Sequence, residues 1–129
     1  MSIAQFDERV VNNSTRLVVP ADGTALLPLV TVGVGDRRVD ALLVSNRDTI
    51  AHVVNIVLTH VGVLTVLGST SVPAGAGFAG APSVDIMAAS FPSTQVGMNL
   101  TGADLLGVQL AVAVAATFDV SVTAVGGLF

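Results

Sequence analysis

Four residue types are missing from this chain of 129 residues, namely cysteine, tryptophan, tyrosine and lysine. Without cysteine, the chain forms no disulfide framework and no thiolate metal site. Without tyrosine and tryptophan, it lacks the aromatic girdles of a membrane barrel and the aromatic platforms that carbohydrate sites use. These absences narrow the range of functions before any motif is considered.

Charge is also scarce, because Asp, Glu, Lys and Arg make up 11% of the residues and the net charge is −4. Eleven of the fourteen charged residues lie in the first 48 positions, and only Asp85, Asp104 and Asp119 follow. Soluble monomers carry about a quarter of their residues as charged groups and avoid large apolar patches. The composition therefore predicts a surface covered by copies of the same chain or by a partner.

Two classes of partner are not expected. The few arginines form no basic patch beyond Arg37-Arg38, so the sequence lacks the electrostatic footprint of a nucleic-acid-binding protein. The run 105–118 is uncharged but spans only 14 residues, shorter than the roughly 20 needed to cross a membrane as a helix. The acidic N-terminus does not resemble a signal peptide, so we expect synthesis in the cytoplasm.

Alternation of apolar and polar residues predicts an all-β protein. The clearest case is AHVVNIVLTH, residues 51–60, in which every second side chain suits a core. Pro28 places its strand at an edge or in a bulge. The predicted strands are 15–19, 25–32, 38–46, 51–60, 63–72, 106–115 and 118–125, with a short helix at 83–90 capped by Ser83. We predict a polar N-terminal arm at 1–14 and one β-sandwich domain at 15–129, of jelly-roll or immunoglobulin-like type with about seven or eight strands.

One segment has the spacing of a dinucleotide-binding loop. Gly75, Gly77 and Gly80 form G-x-G-x-x-G within VPAGAGFAGAPSVDIM. That motif requires a βαβ unit with a long helix and a later acidic residue, but the expected position holds Gln95. We interpret the segment as a loop between sheets and predict no cofactor.

Three other groups of polar residues are weak candidates for a metal site or a catalytic site. His52 and His60 share a strand face but lie too far apart along it for one metal ion. Ser45, Asp48 and His52 invite a triad hypothesis, although their spacing matches no nucleophile motif. A last set, Asp36, Asp40 and Asp48, lacks the ligand spacing of a calcium loop. We therefore predict no catalytic residue and no metal ligand.

Two groups of residues are candidates for an interface. Arg37, Arg38 and Arg47 are three of only five cations, and they are expected to pair with nearby aspartates or across subunits. Leu128 and Phe129 follow Gly126-Gly127, which we interpret as a flexible pair, and exposing them to water would be unfavourable. The sequence thus predicts that a terminus docks on a neighbouring molecule.

The segment ALLVSNRDTIAHVVNIVLTHVG, residues 41–62, resembles β-sandwich modules of structural proteins in tailed bacteriophages. The stretches SVPAGAGFAGAPSVDIM and VSVTAVGGLF are similar to small proteins of the same kind, so the resemblance covers about residues 38–129. It implies a non-enzymatic virion protein, foremost a capsid decoration or auxiliary head protein located in the virion. Its partners would be the major capsid protein and copies of itself, with a trimer favoured. A tail or connector component, or a glycan- or receptor-binding module, are the alternatives.

Overall fold

Strands with one apolar face bury that face when two sheets pack against each other. A computed structural model of the chain describes residues 14–32, 36–78, 81–90 and 98–128. Its strands are β1 (Ser14–Val18), β2 (Leu27–Thr31), β3 (Arg37–Asn46), β4 (His52–His60), β5 (Val63–Val72), β6 (Val84–Asp85), β7 (Met98–Leu100), β8 (Leu105–Leu110) and β9 (Val120–Leu128). A 3₁₀ helix at Pro20–Asp22 and α1 (Ile86–Ser90) complete the described elements. The predicted all-β sandwich with one short α-helix is confirmed.

The strand order is that of a jelly roll. The first sheet runs β1-β9-β3, with β6 and β7 on the far side of β3, and the second runs β2-β8-β4-β5. Since β7 pairs with the beginning of β3 and β6 with its end, the two short strands share one interrupted position. Counted as one, they give eight positions in two antiparallel sheets, which is the jelly-roll arrangement.

The core between the sheets is aliphatic. From the first sheet it takes Val18, Leu42, Val44, Val120 and Val122, and from the second Val30, Val54, Ile56, Leu106, Val108 and Leu110. Ile86 and Met87 of α1 pack against it, whereas Phe118 is only partly buried. Stability therefore rests on many medium-sized contacts, each buried aliphatic side chain contributing about 1.5–3 kcal/mol.

Most of the predicted strands match the described ones to within two residues, and Pro28 does lie on an edge strand with a register shift beside it. The prediction for 106–115 was too long, because β8 ends at Leu110. Its partner β4 begins at His52, so the ladder ends soon after β8: the Ala111 amide still donates to the Val53 carbonyl (3.1 Å), but no described strand pairs with 113–115. Strands β6 and β7 were not predicted from the sequence.

The helix begins later than predicted and has a different cap. Residues Val84 and Asp85 form β6, and α1 starts at Ile86. Asp85 Oδ1 accepts hydrogen bonds from the amides of Met87 (3.0 Å) and Leu42 (3.2 Å). Asp85, not Ser83, therefore satisfies the first turn, and it joins the helix to β3.

The interpretation of Gly126 and Gly127 as a flexible pair was wrong. Both belong to β9 and pair with Val39 and Arg38 of β3. A Cβ at Gly126 would lie 1.8 Å from the Arg38 carbonyl oxygen, so this position needs glycine for close approach beside a register shift in β3. The backbone of Leu128 ends β9, while Phe129 and the predicted arm up to residue 13 lie outside the described residues.

The β4–β5 hairpin turns through two residues that both have positive φ. Val61 has φ 49° and Gly62 has φ 76°. A two-residue turn of this kind suits Asn-Gly, and a β-branched residue at its first position is strained. Val61 is also 83% exposed, so packing within the chain does not compensate this strain.

Replacing Val61 with Asn should therefore stabilise the isolated protein. We expect Val61→Asn to raise the free energy of unfolding by about 1 kcal/mol, because Asn tolerates the left-handed region. Urea denaturation measures the change, with Val63→Asn as the control on the neighbouring strand residue. Equal or lower stability of Val61→Asn relative to the parent chain would contradict the strained turn.

Candidate functional site

A buried polar cluster closes one end of the sandwich, where β3 ends and β4 begins. The side chains of Asp48 and His52 are fully buried, and His52 Nε2 lies 2.8 Å from Asp48 Oδ2. Asp48 Oδ2 also accepts from the Ala115 amide (2.9 Å), and Asp48 Oδ1 accepts from the Thr49 amide (2.6 Å). These bonds, led by that of Ala115, lower the pKa of Asp48 to about 2.

Asn46 extends the cluster to the loop after β5. Its Nδ2 donates to the carbonyls of Ile50 (2.9 Å), Val72 (3.2 Å) and Pro73 (3.3 Å), and its Oδ1 accepts from the Asp48 amide (2.9 Å). The cluster thus ties together the loops that follow β3, β5 and β8. A buried polar group is stable only when bonded in this way.

This arrangement does not form a hydrolytic triad. The second ring nitrogen of His52, Nδ1, is buried and has no hydrogen-bond partner among the described residues. Ser45 lies instead against the glycine loop, since a Cβ at Gly77 would meet its Oγ at 2.4 Å. The Asp48–His52 pair positions loops and presents no nucleophile.

A second polar pair lies at the other end of β4. His60 Nδ1 bonds Asp104 Oδ1, and Asp104 Oδ2 accepts from the amide (3.0 Å) and hydroxyl (3.2 Å) of Thr101. The bond from His60 is the main cause of a lowered pKa at Asp104. In the described part of the chain, no three His, Cys, Asp or Glu side chains gather as a metal ion would require.

The three candidate interface arginines have partners within the chain. Arg37 is buried and donates to Ser14 Oγ (2.8 Å), and Arg38 pairs with Asp40 (2.6 Å). Arg47 Nε lies 3.9 Å from Asp119 Oδ1, and the guanidinium carbon of Arg47 lies 4.6 Å from the centroid of the Phe78 ring. A role for them between subunits stays a prediction, as does one for Leu128 and Phe129.

The backbone donors of the glycine loop are used within the protein. The amide of Gly75 donates to Asn46, that of Ala76 to Pro73, that of Gly77 to Ala81 and that of Phe78 to Gly75. A phosphate cradle needs such amides to be free. The described part of this loop is therefore built as a turn on β3.

The exposed large apolar side chains concentrate on the second sheet. Four of them lie at or beside the start of β5: Val61 (83% exposed), Val63 (64%), Leu64 (60%) and Val66 (60%). We call these four residues, with the backbone edge of β5 that no described strand pairs with, the β5 edge surface. On the outer face beside it, Val57 is buried and pairs with Val66.

No fixed charge lies near the β5 edge surface in sequence, since the chain has no Asp, Glu, Lys or Arg between Asp48 and Asp85. The sequence analysis identified 63–72 as a strand but missed its exposure. A signal was present, because Val63, Leu64, Val66 and Leu67 place apolar side chains on both faces of one strand. An edge strand with exposed apolar side chains on both faces is typical of a surface that binds another protein chain.

A polar cavity of about 400 Å³ lies near the beginning of β3. Asp36, Arg38, Asn99 and Thr101 line it, and it is partly open to solvent. Its guanidinium, carboxylate, amide and hydroxyl groups provide donors and acceptors for a small polar molecule.

Comparison of the chain with models of known protein families, with curated protein sequences and with solved structures found no match. The resemblance to bacteriophage structural proteins therefore stays a prediction. Within the described ranges, no helix has the length and apolar character needed to cross a membrane.

The Asp48 carboxylate should make stability depend on pH in the acid range. Its pKa is lowered from 3.8 to about 2 in the folded chain, so its contribution is complete above about pH 4 and is lost as pH falls through 2. We expect Asp48→Asn to be less stable at neutral pH and to lose this part of the slope. Urea denaturation between pH 7 and pH 2 measures both effects. The control Asp40→Asn, at the surface, should keep the Asp48-dependent slope, and an unchanged slope in Asp48→Asn would refute the assignment.

Two glycines of the loop should respond differently to alanine. Gly75 (φ 78°) and Gly77 (φ 83°) are both in the left-handed region, so each substitution should cost about 1–2 kcal/mol. A Cβ at Gly75 has open space, whereas one at Gly77 would meet Ser45. We expect the larger loss for Gly77→Ala, measured by thermal or urea unfolding, and equal losses would show that Ser45 does not pack there.

Proposed function

We propose that the protein is a non-enzymatic structural protein that assembles with copies of itself and with a larger scaffold. The observation that carries this proposal is the β5 edge surface, where four large apolar side chains are exposed beside a strand edge that no other described strand pairs with. Monomeric proteins protect such edges and keep apolar patches small. Covering the surface with another protein removes both liabilities.

The distribution of charge supports the same function. Beyond Asp48 the only Asp, Glu, Lys or Arg residues in the sequence are Asp85, Asp104 and Asp119, and Asp104 is buried beside His60. A surface with so few charges gives little electrostatic repulsion against close packing of identical molecules. It suits a protein that works inside an assembly.

We propose a virion as the scaffold, with capsid decoration or an auxiliary head position as the specific role and a tail or connector position as the alternative. Two observations support this role. The strand order is that of a jelly roll, which also occurs in viral capsid proteins, and residues 38–129 resemble structural proteins of tailed bacteriophages. The first argument is an analogy between folds, because one fold serves many functions.

Glycan binding is a second candidate, favoured by the cavity that Asp36, Arg38, Asn99 and Thr101 line. Jelly rolls also occur in lectins, and these side chains can hydrogen-bond sugar hydroxyls. The described lining contains no aromatic ring on which a sugar could stack. Self-assembly therefore accounts for more of the exposed surface than a sugar site does.

Two measurements test the assembly function. Sedimentation of the purified protein at micromolar concentration should show an associated species, for which the sequence analysis favours three copies. Mass spectrometry of purified virus particles from the source should detect the protein at a fixed, high copy number. A chain that stays monomeric and is absent from particles, yet binds defined oligosaccharides in calorimetry, would replace this proposal with the second candidate.

A further inference from the structure

The open side of β5 has a defined hydrogen-bonding pattern. In a hairpin with a two-residue turn, the residues flanking the turn bond each other, here His60 and Val63. Along a strand, the N–H and C=O groups of successive residues point alternately toward one neighbouring strand and the other. Those of Val63 point toward β4, so those of Leu64 and Val66 point away from it. No described strand pairs with β5 on that side. Leu64 and Val66 therefore offer two amides and two carbonyls to an incoming strand.

The usual protection of an edge strand is largely missing from β5. Natural edges are blocked by charged side chains, prolines or bulges. The segment 61–72 contains no charged residue and no proline. It does contain a bulge at Leu67, between the pairs Val57–Val66 and Ile56–Gly68. The bulge limits further pairing to the first half of the strand.

We propose that the first half of β5 pairs antiparallel with the same segment of a second copy, about a twofold axis at Thr65. This places Leu64 opposite Val66 of the second copy, and Val66 opposite Leu64, with four backbone hydrogen bonds between the two strands. The two second sheets then join into one sheet of eight strands. The inference rests on the proposed assembly function and specifies its first contact.

A second copy fits this edge for two reasons. The twofold register places the apolar Leu64 opposite the apolar Val66 on one face of the sheet, and Thr65 opposite its own copy on the other face. Shifting the axis to Leu67 would instead place Leu64 opposite Thr70, a residue on the other face of the strand. Self-pairing also brings no like charges together, because neither β4 nor β5 contains Asp, Glu, Lys or Arg.

The symmetry of the contact determines the copy number. A twofold contact uses the same surface on both molecules, so it closes after two copies. The geometry of β5 thus favours a dimer over the trimer favoured by the sequence analysis. The contact involves one half-strand from each copy, so it buries less area than a standard interface, which buries about 800 Å² on each partner. We therefore expect a dissociation constant in the micromolar range.

Cysteine cross-linking tests the register. The chain has no cysteine, so Thr65→Cys introduces its only thiol. At the twofold axis Thr65 forms a non-hydrogen-bonded pair with its own copy, with Cα atoms about 4.5 Å apart, which suits a disulfide. Mild oxidation at roughly 50–100 µM, above the micromolar dissociation constant expected here, should cross-link Thr65→Cys into a dimer at least about ten-fold faster than Ser71→Cys, an exposed control beyond the bulge. Equal rates for the two variants would overturn the proposal.

A charge at the edge provides the second test. Leu64→Lys places two ammonium groups near the axis and should weaken association by about ten-fold or more in sedimentation. The control Leu17→Lys alters a similarly exposed leucine on β1, and it should associate like the parent chain. Equal weakening by both variants, or none by Leu64→Lys, contradicts β5 pairing.

The outcomes separate this inference from the proposed function. A chain that associates without cross-linking at Thr65→Cys keeps the assembly function and rejects the β5 contact. A parent chain that is monomeric at 100 µM, a concentration well above the expected micromolar dissociation constant, rejects the contact as well. Its presence in virus particles then decides the proposed function independently.

Discussion

The buried carboxylate of Asp48 is the interaction on which one end of this sandwich depends. It is held among the amides of Thr49 and Ala115 and the ring of His52, and Asn46 links the same region to the loop after β5. Asn46, Thr49 and His52 lie between the end of β3 and the start of β4, whereas Ala115 follows β8, so the cluster joins segments that are distant in sequence. Without the cluster, three loops would have to satisfy their polar groups in water, and the aliphatic core beneath them would be exposed.

Sequence periodicity predicted most of the sandwich because half-buried strands have a period of two. β4 and β5 were located accurately for this reason, and Pro28 correctly indicated an edge. Strands β6 and β7 have only two and three residues, too few to show an alternation of apolar and polar side chains in the sequence. They are strands because they pair with β3. The run at 111–115 has the composition of a strand, but β4 begins at His52 and leaves 113–115 without a described strand to pair with, which composition does not reveal.

The candidate site was predictable only in part. Charge scarcity indicated a covered surface, and the structure places much of the exposed apolar area on and beside β5. The arginines were expected to pair with nearby aspartates or across subunits, and Arg38 does pair with Asp40, two residues away. Arg47 instead lies near Asp119, a contact between distant segments that one sequence does not specify.

The edges of the two sheets differ in what they allow. β2 contains Pro28 and a register shift, β6 and β7 are only two and three residues long, and β1 carries Arg16. Among the described edge strands, β5 alone combines length with freedom from charge and proline. With a single edge of this kind among the described strands, the β5 pairing proposed above extends each sheet only once. It would join two sheets without propagating into a fibre.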